Sequence, residues 1–227
     1  MTDQRPFARL LAANPFFAGL GPEALEAIAA LCTTRTLARG EVLFLKGDPG
    51  DALYAIRRGR IRIATGTDEG RHVTLNILGP GDVFGEIALL DGKPRTAEAV
   101  AIESCEIFAV QRRDLLPLLQ RDLGLAVRII ELLCARLRWV SDRREDAALL
   151  PMEARLARAL LMLAEDYGSD VQISQQELAD LVGASRERVN QQLQAWQHEA
   201  LIALRRSRIM IMATDSLLER ASYAAQR

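Results

Sequence analysis

The sequence predicts an α+β chain in three parts: a β-rich N-terminal domain, a long helix, and a small helical C-terminal domain closed by a β-hairpin. Three observations carry that reading. Short apolar runs punctuated by glycine fill residues 34–111, an unbroken helical pattern follows over 122–147, and beyond Pro151 two short helices meet at a tight turn. The domains are placed at 1–121, 122–150 and 151–227.

Residues 5–31 alternate apolar clusters with breaks at Asn14-Pro15 and Gly19, and Pro22 opens a short helix carrying Leu25, Ile28 and Ala29. The β-rich runs are Val42-Leu43-Phe44, Leu53-Tyr54-Ala55-Ile56, Ile61-Arg62-Ile63-Ala64 and 73–78, separated by Gly40, Gly47, Gly50, Gly59, Gly66, Gly70, Gly79 and Gly81. Strands so spaced and punctuated predict an antiparallel barrel or sandwich.

A short helix over 113–119 contains Pro117, and the long helix follows. On it Leu123, Ala126, Ile130, Leu133, Leu137 and Val140 recur at intervals of 3, 4, 3, 4 and 3. That is the seam of a coiled coil, and it leaves two readings open: intramolecular core, or a parallel dimer. A second ridge, Leu125, Ile129 and Leu132, is expected to lie against the chain's own β domain. Cys134, on the same helix, is expected to pack as a small hydrophobe.

After the hinge at Pro151 a helix runs over 152–167 and ends at Gly168. Ser174 and Glu177 have the spacing of a capping box and open a helix Glu177–Val182; Gly183 breaks it, and Ser185 caps the next helix, which runs to about 199. This is helix-turn-helix grammar. Leu201–Leu204 and Arg208–Ala213 flank Arg205-Arg206-Ser207 and predict a wing.

Composition excludes several classes. Hydrophobic residues make up 49% and charged residues 26%, and the net charge is −1, which excludes a uniformly basic binder but not a local basic patch. No apolar run reaches the ~20 residues a membrane span needs, and the first residues lack a signal-peptide core. Three scattered cysteines (Cys32, Cys105, Cys134) and two histidines (His72, His198) suit neither a disulfide framework nor a metal site. The expectation is a cytoplasmic protein without metal or membrane association.

Two constellations carry chemistry. In the first, Phe84-Gly85-Glu86-Ile87-Ala88-Leu89-Leu90 precedes Pro94-Arg95-Thr96-Ala97. Gly85 frees backbone amides, a helical turn over 86–90 aims its N-terminus at an anion, Arg95 offers a fork for phosphate, and Glu86 accepts from hydroxyls. In the second, a helix opened by Ser185 sets Arg186, Glu187, Asn190 and Gln191 on one face. Arg186 suits guanine and Glu187 suits cytosine in a major groove. Between 184 and 208 five arginines stand against two acids, a patch suited to phosphates.

With Gly40-Glu41, Gly47-Asp48, Gly50-Asp51, Leu53-Tyr54, Gly59 and Gly79-x-Gly81-Asp82, the FGE and PRTA motifs resemble the cyclic-nucleotide-binding β-roll. The order β-roll, long helix, winged helix-turn-helix resembles the bacterial CRP/FNR family of transcription regulators. The resemblance implies an effector, cyclic AMP or cyclic GMP, held by Gly85, Glu86, Ile87, Ala88, Arg95 and Thr96, with Val140 and Ser141 at the base. It also implies double-stranded DNA bound through Ser174, Ser185, Arg186, Glu187, Asn190, Gln191 and Arg206, a homodimer along the 123–140 seam, and RNA polymerase as partner. Two alternatives stay open: a regulator of the same fold that is ligand-independent or senses another signal, and, more remotely, a regulatory subunit of an enzyme. The chain itself carries no catalytic motif.

Overall fold

Eight β-strands, with one helix before them, one between the sixth and seventh and two after them, organise residues 20–149, and the computed structural model describes Ala8, Leu11, Ala12, Asn14, Phe16, Phe17, 20–66 and 72–222. Pro15, Gly19 and Gly70, three of the expected break positions, lie outside the described residues. The chain divides into two compact units, 1–72 with 76–137, and 73–75 with 138–227.

In the first unit, helix α1 (Pro22–Leu31) precedes strands β1 (Thr33–Leu37), β2 (Val42–Phe44), β3 (Ala52–Arg58), β4 (Ile61–Gly66), β5 (His72–Leu78) and β6 (Val83–Phe84). Helix α2 (Glu86–Asp91), strands β7 (Glu98–Ala101) and β8 (Cys105–Gln111), and helix α3 (Arg112–Arg121) complete it up to the long helix α4 (Leu123–Leu149). The strands form two four-stranded sheets, ordered β1-β8-β3-β6 and β2-β7-β4-β5. The pairs β1/β8, β3/β8, β3/β6, β2/β7 and β4/β7 are antiparallel, as expected from the glycine-punctuated runs.

Strand β3 explains why Leu53-Tyr54-Ala55-Ile56 reads as a continuous apolar run rather than an alternation. Ala52, Tyr54 and Ile56 join a core with Ile61, Ala99 and Ile107, whereas Leu53 and Ala55 join a second core built with Ile28, Leu115, Leu125 and Ile129. A strand buried on both faces has no reason to alternate. Burying Leu125 and Ile129, with Leu132 packed beside them, seats the inner ridge of α4 as its spacing requires. Asp122 is the cap of α4 rather than its first residue: its Oδ1 accepts from the Leu125 amide at 3.0 Å. On the other ridge Leu123 is 78% and Leu137 68% exposed, Ile130, Leu133 and Val140 are exposed as well, and Ala126 is half-buried.

The second unit holds helices α5 (Met152–Tyr167), α6 (Gln175–Val182), α7 (Arg186–His198) and α8 (Thr214–Ser222), with strands β9 (Asp170–Val171), β10 (Ile202–Arg205) and β11 (Arg208–Ile211). Helix α6 starts two residues earlier than Glu177, because a capping box puts the acidic residue at the third helical position. Both bonds of that box are present: the Glu177 amide donates to Ser174 Oγ at 3.2 Å, and the Ser174 amide donates to Glu177 Oε2 at 2.9 Å. Gly183 ends α6 at φ 65°, and Ser185 Oγ caps α7 by accepting from the Arg188 amide at 3.3 Å. The wing carries a third strand, in the order β10-β11-β9. Helix α8 buries Leu217 and Ala221, and Arg220 ties it to Glu153 and Glu199 at 2.8 Å each.

The cysteines divide by burial. Burial pushes the Cys32 thiol up to about 12 and raises Cys105, which leaves neither thiol ionised at neutral pH. Cys134 departs from the expectation of packing: it is exposed, because it follows Leu133 on the outer side of α4.

Gly50 fixes the distance between the 47–51 turn and α2. A Cβ built on it would stand 2.0 Å from the Ala88 Cβ and 3.0 Å from the Ala88 backbone. Gly50→Ala must therefore push the turn off α2, and chemical denaturation is expected to show a loss of about 1–3 kcal/mol.

Candidate functional site

The junction of β6 and α2 places the first constellation. Gly85 turns the chain at φ 84°, a left-handed conformation that glycine adopts without strain, and α2 begins at Glu86. Glu86 and Ala88 are buried, whereas Ile87 is exposed. Ten residues on, Arg95 is only 4% exposed, and Thr96 beside it is exposed.

The guanidinium of Arg95 reaches back to the start of α2. Its Nη1 donates to the Gly85 carbonyl at 2.9 Å and its Nη2 to the Ala52 carbonyl at 2.8 Å. Nε is buried without a partner. Among the described residues no carboxylate pairs with this cation. A Cβ on Gly85 would come within 2.8 Å of Nη1, so glycine there leaves room for the arginine as well as making the turn. The backbone of Arg95 is held by the 45–48 turn: its amide donates to the Asp48 carbonyl at 2.8 Å, and its carbonyl accepts from the Gly47 amide at 2.9 Å. The glycine-aspartate pair at 47–48 thus belongs to the same site.

Two aromatic rings that the sequence reading did not assign to the site stand beside the cation. The guanidinium carbon lies 4.3 Å from the centre of the Phe44 ring and 5.5 Å from that of Tyr54. Tyr54 stacks on Phe84 at 5.3 Å. Phe84 thus backs the two rings that meet the arginine. Tyr54 and Phe84 stand in the Leu53-Tyr54 and FGE motifs, whereas Phe44 had no signal beyond closing a strand run.

In the second unit, Ser174, Gln175, Gln176 and Arg186 face the wing residues 204–209 across a cleft of about 420 Å³. Ser174, Arg186 and Arg206, expected on one surface, thus line one cleft. Glu187 and Gln191 are exposed on α7, as is Ser185 at its cap. Asn190 is half-buried, and its Oδ1 accepts from Gln175 Nε2 at 2.9 Å, a link from α6 to α7 that the sequence did not disclose. The basic patch is smaller than the residue count. Arg208 is paired with Asp170 at 2.8 Å, whereas Arg186, Arg188, Arg205 and Arg206 carry no ion pair among the described residues.

Val140 and Ser141 are exposed on α4, in the second unit. One turn on, Arg143 binds α4 to α6: its Nη1 donates to the Leu181 carbonyl at 2.9 Å, and its guanidinium lies 5.2 Å from the Trp139 ring. Burial lowers its pKa. His198 is exposed at the end of α7. Among the described residues no group of three or more His, Cys, Asp or Glu is arranged to hold a metal ion, and no helix is long and apolar enough to cross a membrane.

Comparison with known proteins agrees with both halves. A cyclic nucleotide-binding domain model matches residues 34–122, and a Crp-like helix-turn-helix domain model matches 154–220. The chain is 31% identical over 220 residues to the CRP-like cAMP-activated global transcriptional regulator of Mycobacterium tuberculosis, covering 93% of this chain and 98% of the relative. It is 37% identical over 192 residues to the cyclic AMP receptor protein of Thermus thermophilus, covering 84% and 89%. The crystal structure of a CRP/FNR-family transcriptional regulator from Thermus thermophilus superposes with a TM-score of 0.72 at 27% identity, covering 85% of this chain and 100% of that one. With a β-rich unit, a long helix and a helix-turn-helix in the same order, the chain belongs to the CRP/FNR family of transcription regulators.

Proposed function

We propose that this protein is a homodimeric cytoplasmic regulator that binds cyclic AMP or cyclic GMP and, in that state, a near-palindromic site on double-stranded DNA. The observation that carries the effector is Arg95. A guanidinium so deeply buried, with two carbonyls but no carboxylate, is an unneutralised charge, and a cyclic phosphate supplies the missing anion. Gly85 and Glu86 meet the ribose, the first turn of α2 and Thr96 flank the phosphate, and Val140 and Ser141 meet the base.

The dimer reading is supported by the outer ridge of α4. Five large apolar side chains at coiled-coil spacing are exposed on the single chain, and a second copy would bury them. DNA reading is supported by the exposed, unpaired Arg186 on α7 and by Arg205 and Arg206 on the wing. Coupling follows if the bound base favours one arrangement of the two long helices. Kinship with transcription regulators supports RNA polymerase as the partner that reads the occupied site.

Titration calorimetry with cyclic AMP and cyclic GMP tests the effector directly. Arg95→Ala is expected to weaken binding by about 2–5 kcal/mol, the cost of removing a buried charge-assisted pair. Tight binding that the substitution leaves unchanged would mean the site lies elsewhere.

Base selection is expected to be modest, because Val140 offers no hydrogen bond to an adenine amino group. One such bond is worth about 1 kcal/mol, so Val140→Thr should shift preference several-fold toward cyclic AMP. A preference of roughly a thousandfold, some 4 kcal/mol, in the unaltered protein would contradict this assignment.

On DNA, Arg186→Ala and Arg206→Ala should fail differently. Loss of a bidentate base contact costs about 1–3 kcal/mol and relaxes sequence preference at one position, whereas loss of a phosphate contact weakens all sites and lowers the salt slope by about one. Footprinting should show two half-sites about one helical turn apart. A single asymmetric half-site, or equal salt slopes for the two variants, would reject the arrangement.

A further inference from the structure

We infer that Phe44 is a positioning residue for the bound anion: its ring sets the plane in which the guanidinium of Arg95 meets a cyclic phosphate. The inference rests on the cyclic-nucleotide reading above and adds a residue of β2 to that site.

The freedom of Arg95 is removed in three places. The 45–48 turn holds its backbone, and the Ala52 and Gly85 carbonyls hold Nη2 and Nη1. Two hydrogen bonds at neighbouring corners still allow the planar group to tilt about the line joining them. Phe44, 4.3 Å from the guanidinium carbon, opposes that tilt on one face. Its negative ring face also stabilises the positive charge. The ring is itself braced, stacking on Tyr54 at 5.8 Å and 27°, with Tyr54 on Phe84 at 5.3 Å and 28°.

Phe44 reaches this position through an irregularity in β2. The register with β7 slips between Val42 and Phe44, which pair with Val100 and Ala99. In a regular strand neighbouring side chains point to opposite faces, but here Leu43 and Phe44 both pack against the core between the sheets. A β-bulge commonly re-aims one side chain in this way. The irregularity thus turns an aromatic ring toward the buried arginine of the nucleotide motif.

The test is calorimetric titration of the full-length protein with cyclic AMP and with cyclic GMP. Phe44→Tyr, Phe44→Leu and Phe44→Met are compared in the native background and in Arg95→Lys, which keeps the charge but has no plane to hold. In the native background Leu and Met are expected to raise Kd about five- to tenfold, whereas Tyr stays within about twofold. In Arg95→Lys the Leu penalty is expected to fall below about twofold. Should Phe44→Leu not fold, Phe44→Met, closer to the ring in length, decides the matter. Equal penalties in both backgrounds, or an unchanged Kd for Leu and Met, would overturn the positioning role and leave the cyclic-nucleotide reading intact. Failure of the unaltered protein to bind either nucleotide would overturn both.

Discussion

A positive charge buried in the β-rich unit sets terms that many surrounding elements must meet. Moving a guanidinium out of water costs several kcal/mol unless polar groups replace its hydration. Here the replacements come from distant parts of the sequence: the Ala52 carbonyl at the start of β3, the Gly85 carbonyl at the turn into α2, and the ring of Phe44 at the end of β2. Each contribution has its own requirement. The turn needs a residue free to adopt positive φ without a side chain, and the strand end needs a carbonyl left out of its ladder. The strand before it needs a bulge. Gly47, Asp48 and Gly85 are therefore joints of one cradle rather than parts of independent loops.

The long helix answers a different constraint, that of serving two surfaces at once. Leu125 and Ile129 are almost wholly buried, while Leu123 and Ile130, a fraction of a turn away, stand in the open. An α-helix repeats every 3.6 residues and a coiled-coil seam every 3.5, so both ridges can run in parallel along its first half. The inner ridge stops after Leu132, whereas the outer continues to Val140. Beyond Leu132 the apolar packing of α4 on the β-rich core ends, and Arg136 still bonds the Val83 carbonyl at 3.1 Å.

What could be read from the sequence follows the range over which each signal acts. Caps, breaks and periodicity are local, so the capping box at Ser174, the cap at Ser185, the stop at Gly168 and both ridges of α4 were legible. The short strand β9 was not, because two residues, Asp170 and Val171, carry no pattern and are defined only by pairing with β11. Helix α8 was missed because it is short and polar and depends on burying Leu217 and Ala221. In the site, the motif drew attention to Gly85, Glu86 and Arg95. The Phe44 ring and the Ala52 carbonyl escaped because they meet Arg95 across 51 and 43 positions of sequence, and a backbone carbonyl has no identity to read. Gln175 escaped for the same reason: its bond to Asn190 exists only once α6 and α7 are packed.

The bond from Arg143 to the Leu181 carbonyl has a mechanical meaning. A helix with its side chains is about 10–12 Å across, so turning the C-terminal half of α4 by ~10° carries its surface through about 1 Å. A hydrogen bond of 2.9 Å does not stretch that far and survive. Rotation must therefore either break the link or drag the end of α6 with it. Since Gly183 and the Ser185 cap follow immediately, the start of α7 is the next thing to move. Were α4 to twist, this contact would pass the motion to the helix-turn-helix as a gear tooth does.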